Sequence, residues 1–404
     1  MDPGLDSTQR VVDVDRLVVG GAALGHEPGG RVVLVDGALP GERLRVRLVK
    51  QRPRMSTAEV EQVLRASPVR IEPACPELHR GCGGCDLQHA APAAQSRLKA
   101  DIVGDALARS VRAGRIAEIP VRAGEPLPTW RYRSTVRCGV LGDRLAFRRR
   151  RSDELLAVDD CLVAHELVSE VIEHGRFPDA DEVVVRAGLR TGERLAIVSP
   201  AVAAGTTVPD GVRLVGADDL RHGRRAWYHE EVAGHLFRIS ARSFFQSGPE
   251  GAEALVAAVG RAAGPIDATT RVVDLYGGVG LFAATLGATA PVLVERSASS
   301  VADARINLEG IDATILRSAV ERWRASSADL VVADPARSGL GSEGVRVVGA
   351  TGAARVVLVS CDVASLVRDV ELLVGAGYRP LGTEVVDLFP NTHHVEAVTA
   401  LELG

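Results

Sequence analysis

Hydrophobic and polar positions alternate with a period of two over residues 11–65. VVDVDRLVVGG, GGRVVLVDGALPGERLRVRLVK and STAEVEQVLRAS read as short strands, punctuated at hairpin spacing by Gly20-Gly21, Gly29-Gly30 and Leu39-Pro40-Gly41. About five such strands in so short a stretch predict a small β-barrel of the oligonucleotide-binding type. The period changes to that of a helix in AAQSRLKADIVGDALARSVRA (94–114). Alternation returns over 130–245, in RSTVRCGVL, RLAFRRRR, DEVVVRAGL, ERLAIVSP, VRLVGADDL and HLFRISA, and predicts a mostly antiparallel central region.

The texture changes again near residue 250. A helix (GPEGAEALVAAVGRAAG) precedes RVVDLYGGVG, PVLVER, ATILRS, DLVVADPARSGLG, ARVVLVSCD and YRPLGTEVVDLFP, with helical segments between them. Continuous apolar strands alternating with helices predict an α/β fold with a doubly wound, largely parallel sheet. The expected organisation is a barrel over 1–66, a central β domain over 67–240 and an α/β domain over 241–404. Helix 94–114 lies in the second by sequence but is able to pack on the third.

The chain of 404 residues is 46% apolar and 25% charged, ordinary globular material with a net charge of −4. Nothing global marks a polyanion partner, but the local distribution does. Arg43, Arg45, Lys50, Arg52, Arg54, Arg65 and Arg70 face only Glu59 and Glu61 over residues 43–70, and Arg131, Arg133, Arg137, Arg144 and Arg148 to Arg151 face Asp143 alone over 131–151. Such segments in an acidic chain are either solvated strand faces or a nucleic-acid footprint. The first ten residues are polar, and no apolar run approaches the ~18 residues that span a bilayer. A cytoplasmic protein with reduced thiols and no membrane partner is expected, which disfavours disulfides.

Candidate chemistry collects at predicted strand ends. The strand RVVDL breaks into Gly277, Gly278 and Gly280, where backbone can approach a ligand. The next strand ends in Glu295, placed to bind a ribose diol. Asp334 ends the fourth strand, with Pro335 stopping the ladder. Cys361 ends the fifth and opens a helix, whose N-terminus would lower the thiol's pKa. A loop with Asp387, His393, His394 and Glu396 leads into the last strand; the two histidines read as ordinary loop residues. A thiol and a carboxylate over a nucleoside crevice suit methylation of uracil carbon 5. Thiolate addition to carbon 6 makes carbon 5 nucleophilic, and a base must then remove its proton.

The stretch CPELHRGCGGCDLQHA brings Cys75, Cys82 and Cys85 together. Zinc ribbons usually supply two CxxC pairs, and this chain has one. A fourth ligand would be Cys138, inside an alternating strand, or Cys161, at a turn.

Several of these stretches carry a resemblance. FFQ (244–246), DLYGGVG, DPARSG, SCDVASLVRD and DLFPNTHHVEAV resemble, in order, the motifs of the RNA 5-methyluridine methyltransferases. GGAALGHEPGGRVVLVDGALPGE is similar to that family's RNA-binding TRAM barrel, and the cysteine stretch to the iron–sulfur site of its 23S ribosomal-RNA branch. The resemblance implies a Rossmann-like class I methyltransferase domain using S-adenosylmethionine, with Cys361 as nucleophile and Glu396 as base. It implies that Gln246, Tyr276, Gly278, Glu295 and Asp334 contact the cofactor or the target base, with Ser318 at a weaker cofactor position. It selects Cys161 to complete Cys75, Cys82 and Cys85 as ligands of a structural [4Fe–4S] cluster, with zinc as the other metal weighed. Ribosomal RNA is implied over transfer RNA, and a monomer is expected. The chain departs from the family pattern at Gly277, Leu281, Asp362, Val363 and Ser247-Gly248, and the gap between Cys75 and Cys82 is one residue longer than usual.

Overall fold

The structure, a computed structural model, describes residues 8–27 and 29–404. Of the expected barrel, residues 1–7 and 28 lie outside the described residues. Strands β1 (Gln9–Leu17), β2 (Ala23–His26), β3 (Val32–Asp36), β4 (Arg43–Gln51) and β5 (Met55–Arg65) close into a barrel in the order β1-β2-β3-β5-β4. Val12, Val14, Val33, Val35, Leu44 and Val46 fill its interior, as the two-residue period dictates. Glu42 is fully buried at one end. Burial alone would raise its carboxyl, but the Arg70 guanidinium and the N–H groups of Leu39 and Ser67 outweigh that and hold it low.

After the short helix α1 (Pro76–His79) comes α2 (Pro92–Arg112), two residues earlier at each end than its periodicity predicts. Pro92 suits the first turn, having no N–H to leave unpaired, and Gly114 at φ +70° ends the run. The helix packs on the far sheet together with the strand that follows it, β6 (Val121–Ala123), which joins that sheet at its edge.

A six-stranded sheet follows, in the order β12-β11-β10-β7-β8-β9: β7 (Thr135–Leu141), β8 (Arg144–Arg148), β9 (Leu155–Ala157), β10 (Glu182–Ala187), β11 (Arg194–Ser199) and β12 (Val212–Gly216). All its pairs are antiparallel except β11 with β12. Helix α3 (Glu166–His174) covers one face. VRLVGADDL, read as one strand, divides at Gly216 into β12 and helix α4 (Ala217–Arg221). The hairpin β13 (Trp227–Val232) and β14 (His235–Ser240) leads to α5 (Pro249–Ala263).

The remaining elements are β15 (Val272–Leu275), α6 (Leu281–Thr285), β16 (Val292–Glu295), α7 (Ala298–Asn307), β17 (Thr314–Arg317), β18 (Leu330–Ala333), α8 (Gly341–Thr351), β19 (Arg355–Ser360), α9 (Val363–Gly375), β20 (Tyr378–Val386) and β21 (Glu396–Leu403). Their eight-stranded sheet has the order β17-β16-β15-β18-β19-β21-β20-β6, with β21 antiparallel to both neighbours. Strands β15 and β18 are buried at every position, because helices cover both faces. The strand order reverses at β15, so the carboxyl ends of β15, β16, β18 and β19 rim one crevice. Among the described residues no helix is long and apolar enough to cross a membrane.

The basic run Arg148–Arg151 is more engaged than its charge suggests. Arg148 pairs with Asp153, Arg149 with Glu154, and Arg151 reaches Asp36 of the barrel. The Arg151 pair links the barrel to the central sheet.

Candidate active site

Antiparallel pairing of β19 with β21 sets Ser360 opposite Ala397. The next rung therefore places Cys361, just past the end of β19, beside Glu396, the first residue of β21. Strand β18 ends one sheet position away, with Ala333 level with Leu358, and Asp334 follows it, its N–H donating to the Leu275 carbonyl at 3.3 Å. Three groups from three strands thus meet at one edge of the crevice.

Their electrostatics differ from the sequence expectation. The Cys361 thiol is not lowered but pushed up to about 11, by burial and by the neighbouring Glu396 and Asp334, with Arg337 opposing. The first cap of α9 is Asp362, whose side chain accepts the Ser365 N–H at 2.8 Å, so the helix terminus serves that carboxylate. Burial and Asp334 also raise Glu396 well above a normal carboxyl, and burial raises Asp334. Two acids sharing a low-dielectric site cannot both ionise readily, so the charge of one opposes ionisation of the other.

The glycine turn lies across the same crevice. Tyr276, Gly278 and Gly280 all have positive φ, at 61°, 55° and 94°. A Cβ at Gly277 would stand 2.6 Å from Leu293 Cγ, which accounts for glycine where the resembled family has cysteine. A Cβ at Gly278 would meet nothing within 4 Å, so backbone is open to the crevice there. Glu295 accepts the Gly278 N–H at 3.2 Å and the Ser297 N–H at 2.5 Å. Ser318 donates its N–H to the Glu295 carbonyl at 3.0 Å, and Tyr276 donates its hydroxyl to Glu321 at 3.1 Å. Gly278, Glu295 and Ser318 are therefore linked, and Tyr276, two residues before Gly278, reaches Glu321 beside them. Gln246 stands apart from them, buried beside Tyr132, Gly248, Leu388 and Pro390.

Asp274, in β15 just before the glycine turn, is fully buried beneath the turn. Its Oδ2 accepts the Ala283 N–H at 3.2 Å, while Oδ1 has no partner among the described residues. Burial pushes its carboxyl up to about 8, and the Ala283 N–H offsets only part of the rise.

Local sequence patterns did not identify the groups that hold the loop 387–394. From α2, the fully buried Lys99 pairs with Asp387 at 2.5 Å and donates to the Phe389 carbonyl at 2.9 Å. One turn earlier, Gln95 donates to Asn391 Oδ1 at 3.1 Å and accepts the Asn391 N–H at 2.6 Å. The available signal was two polar residues at i and i+4 in the apolar stripe of a helix, which only a distant polar partner satisfies.

Cys75, Cys82, Cys85 and Cys161 line one cavity of about 230 Å³, whereas Cys138 is buried in the core of the central sheet. Burial and the other thiols push Cys85 up to about 12. The Gly84 N–H donates toward Cys82 sulfur, and those of Val163 and Ala164 toward Cys161. Among the described residues, no three His, Cys, Asp or Glu side chains converge as they would on a single ion.

No protein-family model matches the chain. Over 97% of its length it is 35% identical to a protein of Streptomyces coelicolor described as an uncharacterized RNA methyltransferase, covering 92% of that protein. It is 31% identical to the 23S rRNA (uracil(1939)-C(5))-methyltransferase of Chromohalobacter salexigens, over 98% of this chain and 90% of that one. The same enzyme of Shewanella amazonensis is 31% identical over 98% and 96%. Among solved structures, the tRNA (uracil-54, C5)-methyltransferase of Pyrococcus abyssi, in complex with S-adenosyl-L-homocysteine, superposes with a TM-score of 0.72 at 22% identity, covering 96% of this chain and 99% of that one.

Proposed function

Since the chain belongs to the RNA (uracil-C5) methyltransferase family, we propose that it methylates carbon 5 of a uridine in RNA through a covalent adduct at Cys361. The observation that carries this reading is the shared rung of Cys361 and Glu396, a nucleophile and a base on adjacent strands at the mouth of a nucleoside crevice. When bound, S-adenosylmethionine supplies an electrophilic methyl group and a positive charge that favours the thiolate. The open backbone at Gly278, with Glu295 and Ser318 beside it, suits the nucleoside half of that donor, and Tyr276 and Asp334 border the same crevice.

The target uridine leaves its stack to enter the crevice. Cys361 sulfur bonds to carbon 6, and the ring electrons move onto the carbon 4 carbonyl as an enolate. Carbon 5 then attacks the methyl group, whose bond to the donor sulfonium breaks and leaves its electron pair on sulfur as a neutral thioether. Glu396 removes the carbon 5 proton, the enolate reforms, and the carbon–sulfur bond breaks to release the thiolate. A carboxylate raised by burial and by Asp334 is a better base than an exposed one, and a positioned base contributes about 10²–10⁴-fold. Gln246, next to the loop that carries Glu396, is assigned to the target base.

The four thiols suit a [4Fe–4S] cluster better than zinc. The preference rests on the resemblance of the cysteine stretch, and all four thiols share the lining of one cavity of about 230 Å³ with other residues. N–H groups aimed at sulfur stabilise thiolates, which burial and the crowding of the thiols otherwise oppose until positive charge arrives. The cluster's role is structural, tying the loop after the barrel to Cys161. The 23S rRNA names of two full-length relatives favour ribosomal over transfer RNA, with the 1–66 barrel gripping the chain beside the 67–240 and 241–404 parts. The protein is taken to act as a cytoplasmic monomer.

Replacing the base isolates the chemistry. Glu396→Gln should accumulate an RNA adduct that survives denaturing electrophoresis, because elimination needs the carbon 5 proton removed, and Cys361→Ser should abolish it. A Glu396→Gln protein that turns over normally, or forms no adduct while binding RNA, would overturn these roles.

A further inference from the structure

His393 lies three residues before Glu396, within about 10 Å along an extended chain, and two remote parts of the molecule close on it. From the barrel, the turn joining β1 to β2 approaches so tightly that a Cβ at Gly21 would stand 2.6 Å from His393 Cβ and 3.0 Å from its Cγ. Gly20, next to it in the turn, has a similar φ, 91° against 81°, but a Cβ there would meet nothing within 4 Å. From the segment after Cys85, Asp86 accepts the His393 N–H at 2.8 Å and pairs with its ring nitrogen Nδ1. The backbone continues the seam, with the N–H groups of Asp86 and Leu87 donating to the Asn391 carbonyl at 3.1 and 2.9 Å.

Neither approach is needed to fold the sheet, whose strands are complete without it. Both bear on the backbone that leads into β21, whose first residue, Glu396, pairs with Val386 of β20. A displacement of this stretch moves the carboxylate and leaves Cys361, which follows a different strand, where it is. Small misplacements of a catalytic group are expensive, since about 1 Å changes a rate by ~10²-fold.

We propose that His393 is a positioning residue through which the barrel's first turn and Asp86 together set the place of the Glu396 carboxylate. This rests on the reading of Glu396 as the base. The barrel is then more than an RNA grip: its seating against His393 is a condition for the last chemical step, removal of the carbon 5 proton.

The step can be read separately from the others. RNA carrying tritium at uridine carbon 5 reports proton removal, donor methyl label reports transfer, and denaturing electrophoresis reports the adduct. Wild-type protein must first yield 5-methyluridine; without it the functional reading fails, irrespective of His393. Given that product, Gly21→Ala and Asp86→Asn should each slow tritium release tenfold or more while the methylated adduct builds up. Gly20→Ala, with a similar backbone penalty and open space around it, should match wild type. Adding either substitution to Glu396→Gln should change nothing further, because the group being positioned is already gone. The proposal is overturned if both variants release tritium at the wild-type rate, if adduct formation falls in step with release, or if Gly20→Ala is as slow as Gly21→Ala. Failure of either variant to fold leaves the other to decide, since they lie on separate elements.

Discussion

At the scale of single residues, the site is governed by negative charge in a small volume. Cys361 and Asp334 were readable as strand-end groups and Glu396 as a loop residue before the last strand, but not their mutual effect, which depends on how close the folded sheet brings them. Cys361 shows the difference: its place before a helix predicted a lowered thiol, and burial together with two neighbouring acids raises it instead. Activity should accordingly rise with pH through neutrality, as the acid pair loses its proton and the thiolate fraction grows; a single-turnover methyl-transfer profile that is flat from about pH 6 to 9 would count against this. Asp274 gives a stability test. Its carboxyl is raised from a normal value near 4 to about 8, so the folded state holds a proton that the unfolded state has lost between those limits. Stability from this group is full below the lower value and falls as pH rises to the upper. Asp274→Asn removes the titration, and urea unfolding near pH 9 should show the variant more stable than wild type by up to about 5 kcal/mol, with the gap closing toward pH 4.

At the scale of elements, α2 was legible as a helix from its period, and its true neighbours were not. The pairing of Lys99 with Asp387 spans 288 residues, beyond anything local spacing encodes. The same holds for the fourth cysteine: spacing left Cys138 and Cys161 open, and folding puts Cys161 in the thiol-lined cavity and Cys138 in the core. Departures from the family pattern are locally compensated, with Asp362 still capping α9 and Val363 filling its first turn against the core. Lys99→Met should destabilise by about 3–5 kcal/mol, because Asp387 is left buried and unpaired. Lys99→Met with Asp387→Leu should recover most of that loss in denaturant titrations; no recovery would mean that the charges are not each other's main partners. Cys82→Ser should remove the brown absorbance expected of the cluster in anaerobically purified protein and lower the melting temperature.

At the scale of the whole molecule, the α/β class and the N-terminal barrel were plain from periodicity, because buried parallel strands and two-residue alternation leave distinct patterns. The use of the basic segments was not, since charge in a sequence says nothing of its partners. Arg148, Arg149 and Arg151 are engaged by acids, whereas Lys50, Arg52 and Arg54 at the β4–β5 end have no ion pair among the described residues. Neutralising those three should therefore weaken RNA binding more than neutralising Arg148 and Arg149, with a salt slope shallower by about 0.7 for each phosphate left unneutralised; equal effects would return the footprint to the arginine run. The central claim is that the assembled crevice makes 5-methyluridine in RNA. Purified protein is incubated with methyl-labelled S-adenosylmethionine and ribosomal or transfer RNA, the RNA is digested to nucleosides, and the labelled product is identified. The label is expected in 5-methyluridine and should vanish with Cys361→Ser; label in another nucleoside, or none in RNA from a folded protein, would contradict the claim.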